Sequence, residues 1–132
     1  MNDIIAKYLE RAESALDAAD VLLENDQNLA LANRSYYAIF YCICALLLTE
    51  RIVTKKHEGA RVKFHELFVK TGRFSKDAGR MLERNFEARQ SADYDMETEI
   101  TKEQAQLLLH DARAFYQLTL DYFTQHPPVE NQ

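Results

Sequence analysis

Apolar residues recur at steps of three and four along residues 3 to 24, where Ile5, Tyr8, Ala12, Ala15, Ala19 and Leu22 fall on one stripe. That is the spacing of an amphipathic helix with one buried face. The polar run NDQN at 25 to 28 ends it. The next segment, Leu29 to about Ile52, is apolar almost all round between Tyr36 and Leu48. A helix with no polar face has to be covered on more than one side, so this segment is predicted to be the central helix. In a small domain it also has apolar surface to offer a second copy of the chain.

A third helix is predicted over about residues 59 to 70, with Val62, Phe64, Leu67 and Phe68 as its apolar positions and Gly72 as its stop. Ser75 reads as the N-cap of a fourth, whose broad inner face carries Ala78, Met81, Leu82, Asn85, Phe86 and Arg89. The last opens at TKEQ, where Thr101 and Gln104 fit a capping box, and runs through Ala105, Leu108, Ala112, Phe115, Thr119 and Tyr122. A loop near residues 91 to 100 leads into it. The expected fold is all-α: an antiparallel bundle of four long helices and one short one, homodimeric, in a single domain over residues 1–124. Residues 125–132, with HPPVENQ, read as a disordered tail.

Composition agrees with an all-helical chain. Among 132 residues there are 3 Gly and 2 Pro, and both prolines, Pro127 and Pro128, lie in the tail, so little interrupts helix formation before it. One domain is what this length supports. The net charge of −5 argues against gripping nucleic acid by bulk electrostatics but leaves room for a local basic cleft. Cys42 and Cys44 are too close for a redox or zinc pair and read as small buried hydrophobes. The N-terminus lacks a signal-peptide core, and no segment approaches the roughly 20 apolar residues of a membrane span. A cytoplasmic, soluble chain with no membrane association is expected.

Candidate chemistry concentrates in RNFEARQSADYD, residues 84 to 95. Arg89 falls on the inner face of its helix, an unusual place for a lone cation. Asp93 lies four residues on, so an intrahelical ion pair is one reading of the two, in the less favourable orientation with the base first. Arg34, among Asn33, Tyr36 and Tyr37 at the start of the central helix, needs either an acidic partner such as Asp93 or Glu87, or a cleft. In a cleft shared with Arg89, two guanidiniums with Tyr36, Tyr37 or Tyr94 suit a phosphate and a stacked base. His65 and His110 have no ligand arrangement suggesting a metal, and neither metal nor cofactor is expected.

The ordered series NRSYYAIFYCICALL, KHEG, KFHELFVKTGRF, RNFEARQSADYD and AFYQLTLDYF, over residues 5 to 124, resembles the small stand-alone proteins of the HEPN superfamily, the higher eukaryote and prokaryote nucleotide-binding domains. The resemblance implies a bundle of about five helices that usually pairs as a homodimer. Many such proteins are metal-independent ribonucleases with the motif Arg, four to six residues, His; in the toxin branch a Tyr follows two positions after that His. Those toxins are typically encoded beside a nucleotidyltransferase antitoxin, which in some cases transfers adenylate to that Tyr. Here Arg89 takes the Arg position, but Asp93 stands where the His falls, with Tyr94 next to it.

The replacement matters because RNA cleavage without a metal needs a base for the 2′-hydroxyl proton and a cation for the charge growing on phosphorus. Arg89 suits the second task. An unperturbed Asp, with a pKa of about 3.9, is a weak base at neutral pH, and a nearby Arg holds it there. Arg51 and His57 also satisfy the bare motif, in RIVTKKH, but sit between the second and third helices rather than before the last. Their plain reading is a basic helix end. The sequence therefore favours a nucleotide- or RNA-binding component that works with a separately encoded nucleotidyltransferase in a toxin–antitoxin-type module. Its site is Arg89, Asp93 and Tyr94, with Arg34, Tyr37 and His57 as binding residues. Two other readings stay open: a metal-independent ribonuclease using Arg89 with Asp93 or a displaced His57, and a non-catalytic dimeric assembly protein.

Overall fold

The computed structural model describes residues 3–54 and 56–128. They form five helices: α1 (Asp3–Glu24), α2 (Asn28–Leu48), α3 (His57–Phe64), α4 (Lys76–Tyr94) and α5 (Lys102–Gln125). One π-helical turn, His65–Val69, continues α3. No strand occurs among the described residues. The expected bundle of four long helices and a short one is thus what the chain adopts. Helix α5 runs to Gln125, and of the tail expected over residues 125–132 the part from Val129 onward lies outside the described residues.

Helix α2 is the hub, packing against all four other helices. Thirteen of its residues are buried, among them Leu31, Tyr36, Ile39, Ile43, Leu46 and Leu47. Each large apolar side chain hidden this way contributes about 1.5–3 kcal/mol, which is why an almost uniformly apolar helix belongs at the centre. The sequence expectation needs one correction: by length and hydropathy alone Asn28–Leu48 does qualify as a membrane span. In the bundle, 72% of its most apolar window is buried by the other helices, as in the core helix of a folded domain.

Helix α2 ends at Leu48, four residues earlier than its apolar run suggests. Arg51 adopts a left-handed backbone (φ 58°), which lets the Ile52 N–H bond the Leu47 carbonyl at 3.0 Å and the Arg51 N–H bond that of Leu48 at 3.0 Å. This is a Schellman stop built without glycine. It turns the chain so that α3 starts at His57, beside α2. Val62, expected inside, is 53% exposed, whereas Phe64 and Phe68 are buried as expected and Ala60 joins them on the inner face.

Ser75 caps α4, its Oγ accepting from the Ala78 N–H at 3.2 Å, and the Thr101–Gln104 capping box opens α5. Helix α4 does not break near residue 91. It continues to Tyr94, with Asp95 N–H bonded to the Ser91 carbonyl. Halfway along, the fully buried Asn85 ties three helices together. Its Oδ1 accepts from Ser35 Oγ of α2 at 2.6 Å, and its Nδ2 donates to the Leu108 carbonyl of α5 at 3.3 Å. A buried polar group satisfied on both sides fixes the relative placement of the elements it bridges.

Candidate functional site: an arginine among three tyrosines

One turn beyond Asn85, α4 points Arg89 back at the first turns of α2. Its side chain is 12% exposed. The guanidinium carbon lies 5.6 Å from the Tyr36 ring centre, 5.8 Å from that of Tyr37 and 5.8 Å from that of Tyr94. Aromatic faces of this kind each stabilise a cation by about 0.5–1 kcal/mol near a surface. Asp93 supplies the counter-charge, with Oδ2 2.9 Å from Arg89 Nε. The buried Nε–H does not point at that oxygen and has no hydrogen-bond acceptor, and one outer nitrogen donates to Gln90 Oε1 at 3.1 Å. The intrahelical pair anticipated for Arg89 and Asp93 therefore exists, but as a charge contact that leaves Arg89 with unused donor capacity.

His57 joins the same cluster. As the first residue of α3 it sets its ring against α2, 4.3 Å from the Phe40 ring, with Nδ1 3.1 Å from Tyr36 Oη and Nε2 3.3 Å from Tyr37 Oη. Burial, and then the positive charge of Arg89, lower its pKa below the usual imidazole value. Burial likewise raises that of Tyr36, against the pull of Arg89. The histidine is accordingly neutral at physiological pH and the phenol stays protonated. In sequence, His57 paired with Arg51 looked separate from the Arg89 motif. In the fold Arg51 is an exposed turn residue, and it is His57 that meets the partners of Arg89.

Arg34 extends the site along α2. It pairs with neither Asp93 nor Glu87; its Nε and Nη2 donate to Asn33 Oδ1 at 3.1 and 2.9 Å, and its guanidinium lies over the Tyr37 ring, 4.9 Å from the centre. Asn33 in turn donates to Asp93 Oδ2 at 3.4 Å. Asn33 enters the sequence expectation only as a neighbour of Arg34. Its place four residues before Tyr37, hence on the same face of α2, was the available signal. Phe40 follows from Tyr36 by the same rule. Tyr94, the last residue of α4, is 73% exposed at the mouth of the cluster.

All six residues singled out from the sequence, Arg34, Tyr37, His57, Arg89, Asp93 and Tyr94, thus converge where α2, the start of α3 and the end of α4 meet. The set offers guanidinium donors for phosphate, aromatic faces for a base, a neutral imidazole and one carboxylate. His65 lies outside it, bonded to Glu83 Oε2 at 2.9 Å, and His110 is exposed. No group of three or more metal-ligating side chains occurs among the described residues.

Known proteins give this geometry a family. The HEPN domain model matches residues 5–122. A Methanocaldococcus jannaschii protein named "Putative toxin" is 37% identical over 118 residues, 89% of this chain and 80% of its own. A second one from that organism, bearing the same description, is 36% identical over 84% of this chain and 82% of its own. A "UPF0332 protein" of Thermotoga maritima is 38% identical over 85% of both chains. With the family model spanning nearly every helix and relatives of this identity along most of their length, the chain belongs to the HEPN domain family.

Proposed function

We propose that this HEPN chain binds RNA or a nucleotide through the Arg89 cluster, as a component of a toxin–antitoxin-type module that works with a separately encoded nucleotidyltransferase. The observation that carries the reading is a mostly buried guanidinium, ringed by Tyr36, Tyr37 and Tyr94, whose Nε–H has no acceptor. The outer nitrogens of such a group suit an anionic oxygen, and the exposed Tyr94 beside it suits a stacked base or a partner's active site. The "Putative toxin" name of two relatives supports the module. Cytoplasmic placement and a homodimer belong to the same proposal. The test is titration of fluorescent single-stranded RNA and of ATP into wild type and Arg89→Ala. Binding that weakens at least tenfold in the variant is expected; binding unaffected by Arg89 overturns it.

A second reading, metal-independent cleavage of RNA, gains from His57. A neutral imidazole close to Arg89 is a better proton acceptor than Asp93, whose charge is engaged by that arginine. End-labelled RNA incubated in EDTA decides it. Cuts with cyclic phosphate ends, lost in both Arg89→Ala and His57→Ala, identify a ribonuclease.

A further inference from the structure

Beside the Arg89 cluster, an open groove of about 440 Å³ runs between the end of α1, the start of α2 and the end of α4. Leu22, Leu29, Ala30 and Ala92 form its apolar walls, and Asn33, Arg34 and Asp93 its polar edge. Leu29 is 45% exposed there. The volume lies within the range of small-molecule sites, and apolar walls with a few convergent polar groups are what such sites use. From the order of these groups we infer that the groove is a nucleobase subsite selective for guanine. The inference rests on the nucleotide-binding reading of the neighbouring Arg89.

The selectivity follows from what the polar edge offers. Asp93 presents only acceptors when ionised. Its Oδ2 faces Arg89 and Asn33, and its Oδ1 has no hydrogen-bond partner among the described residues. Guanine alone among the four bases places two donors side by side on its Watson–Crick edge, N1–H and the N2 amino group. Adenine sets an acceptor at N1 against a carboxylate, and the pyrimidines flank their ring nitrogen with at least one carbonyl acceptor. Arg34 completes the pattern. Its Nε and Nη2 are held by Asn33 Oδ1. Nη1 remains to donate to guanine O6 or N7, the acceptors that arginine reads most often.

Asn33 is then a positioning residue, bonded to both polar groups that touch the base: it accepts from Arg34 and donates to Asp93. The apolar walls receive the ring face, and the adjoining Arg89 takes the phosphate side. Asp93 also stands in for the family histidine expected at this position. Where a base was missing from the cleavage machinery, a base reader is present.

Calorimetric titration with 5′-GMP, 5′-IMP and 5′-AMP tests this on the full chain, in wild type and in Asp93→Asn, with circular dichroism as the control for folding. GMP is expected to bind roughly five- to a hundredfold more tightly than AMP, with IMP, which lacks the N2 amino group, between them. Asp93→Asn is expected to abolish the preference, so that GMP and AMP bind alike. Equal affinity for GMP and AMP in wild type overturns the guanine subsite and leaves the nucleotide-binding proposal standing. A uniform gain for all three nucleotides in Asp93→Asn also overturns it, reducing Asp93 to a plug on Arg89. No binding of any nucleotide, by a folded wild type, overturns both. Should Asp93→Asn fail to fold, Arg34→Ala provides the same comparison from the opposite edge of the base.

Discussion

Arg89 and Asp93 stand one turn apart on α4, with Nε 2.9 Å from Oδ2 but the N–H directed elsewhere. Contact without a hydrogen bond means the carboxylate neutralises the cation without occupying its outer nitrogens. With Nε buried, a phosphate oxygen arriving at Arg89 meets those outer nitrogens, one of which donates only to the neutral Gln90. Removing Arg89 is expected to weaken RNA binding roughly ten- to a hundredfold, as for charged hydrogen bonds. Anisotropy titrations of Arg89→Ala against wild type measure it. Arg89→Lys should recover only part of the loss, since a lysine lacks the planar fork.

The lowered pKa of His57 makes folding sensitive to acid in a defined sense. Its folded value lies below the unfolded one, so the unfolded chain takes up the proton first as pH falls. The stability this neutral histidine provides is complete above its ordinary value near 6.5. It declines as pH drops through that value and is gone below the lowered folded value. Urea midpoints between pH 8 and pH 5 should fall in wild type and fall less in His57→Gln. Equal slopes in the two proteins would remove His57 as the cause.

Ser35 is a small residue with a large expected effect. Its hydroxyl is the donor to Asn85 Oδ1, and both side chains are fully buried. Ser35→Ala leaves that oxygen without a partner in the core, at a cost of about 1–3 kcal/mol. Denaturant unfolding checks this, and the double variant Ser35→Ala, Asn85→Leu should regain part of the loss by removing both polar partners together.

Burial pushes the thiols of Cys42 and Cys44 up to about 12. Since the thiolate is the reactive form, neither should be alkylated by iodoacetamide at pH 8 in the folded protein, and both should react in denaturant. Mass spectrometry of the two samples reads the outcome directly.

The helices were legible because burial writes its period into the sequence. Ala12, Ala15 and Ala19 on α1, and Ala78, Leu82 and Asn85 on α4, are all buried where the three- and four-residue spacing puts them. Val62 falls on the outer face because the few apolar positions of an eight-residue helix do not fix its rotation. The boundary of α2 was overrun because nothing in Glu50-Arg51-Ile52 resembles a glycine stop, although Arg51 adopts a glycine-like backbone. The site residues were legible by type, but the contacts that place His57 between Tyr36 and Tyr37 were not. That His57 belongs with Arg89 depends on the turn between α2 and α3, a long-range fact that local spacing does not encode. The bidentate bond of the exposed Arg84 to the buried Asp111 has no counterpart in the sequence expectation, though an aspartate among Leu108, Ala112 and Phe115 was a visible irregularity.

The Asn85 tie has a meaning beyond holding weight. By bonding Ser35 on one side and the Leu108 carbonyl on the other, it works as an index mark that sets the angle of α4 about its own axis. Successive helical residues are about 100° apart, so slipping α4 by a single position would swing Arg89 from its tyrosines toward water. The aim of the guanidinium is thus decided one turn away, by an amide that never meets a ligand.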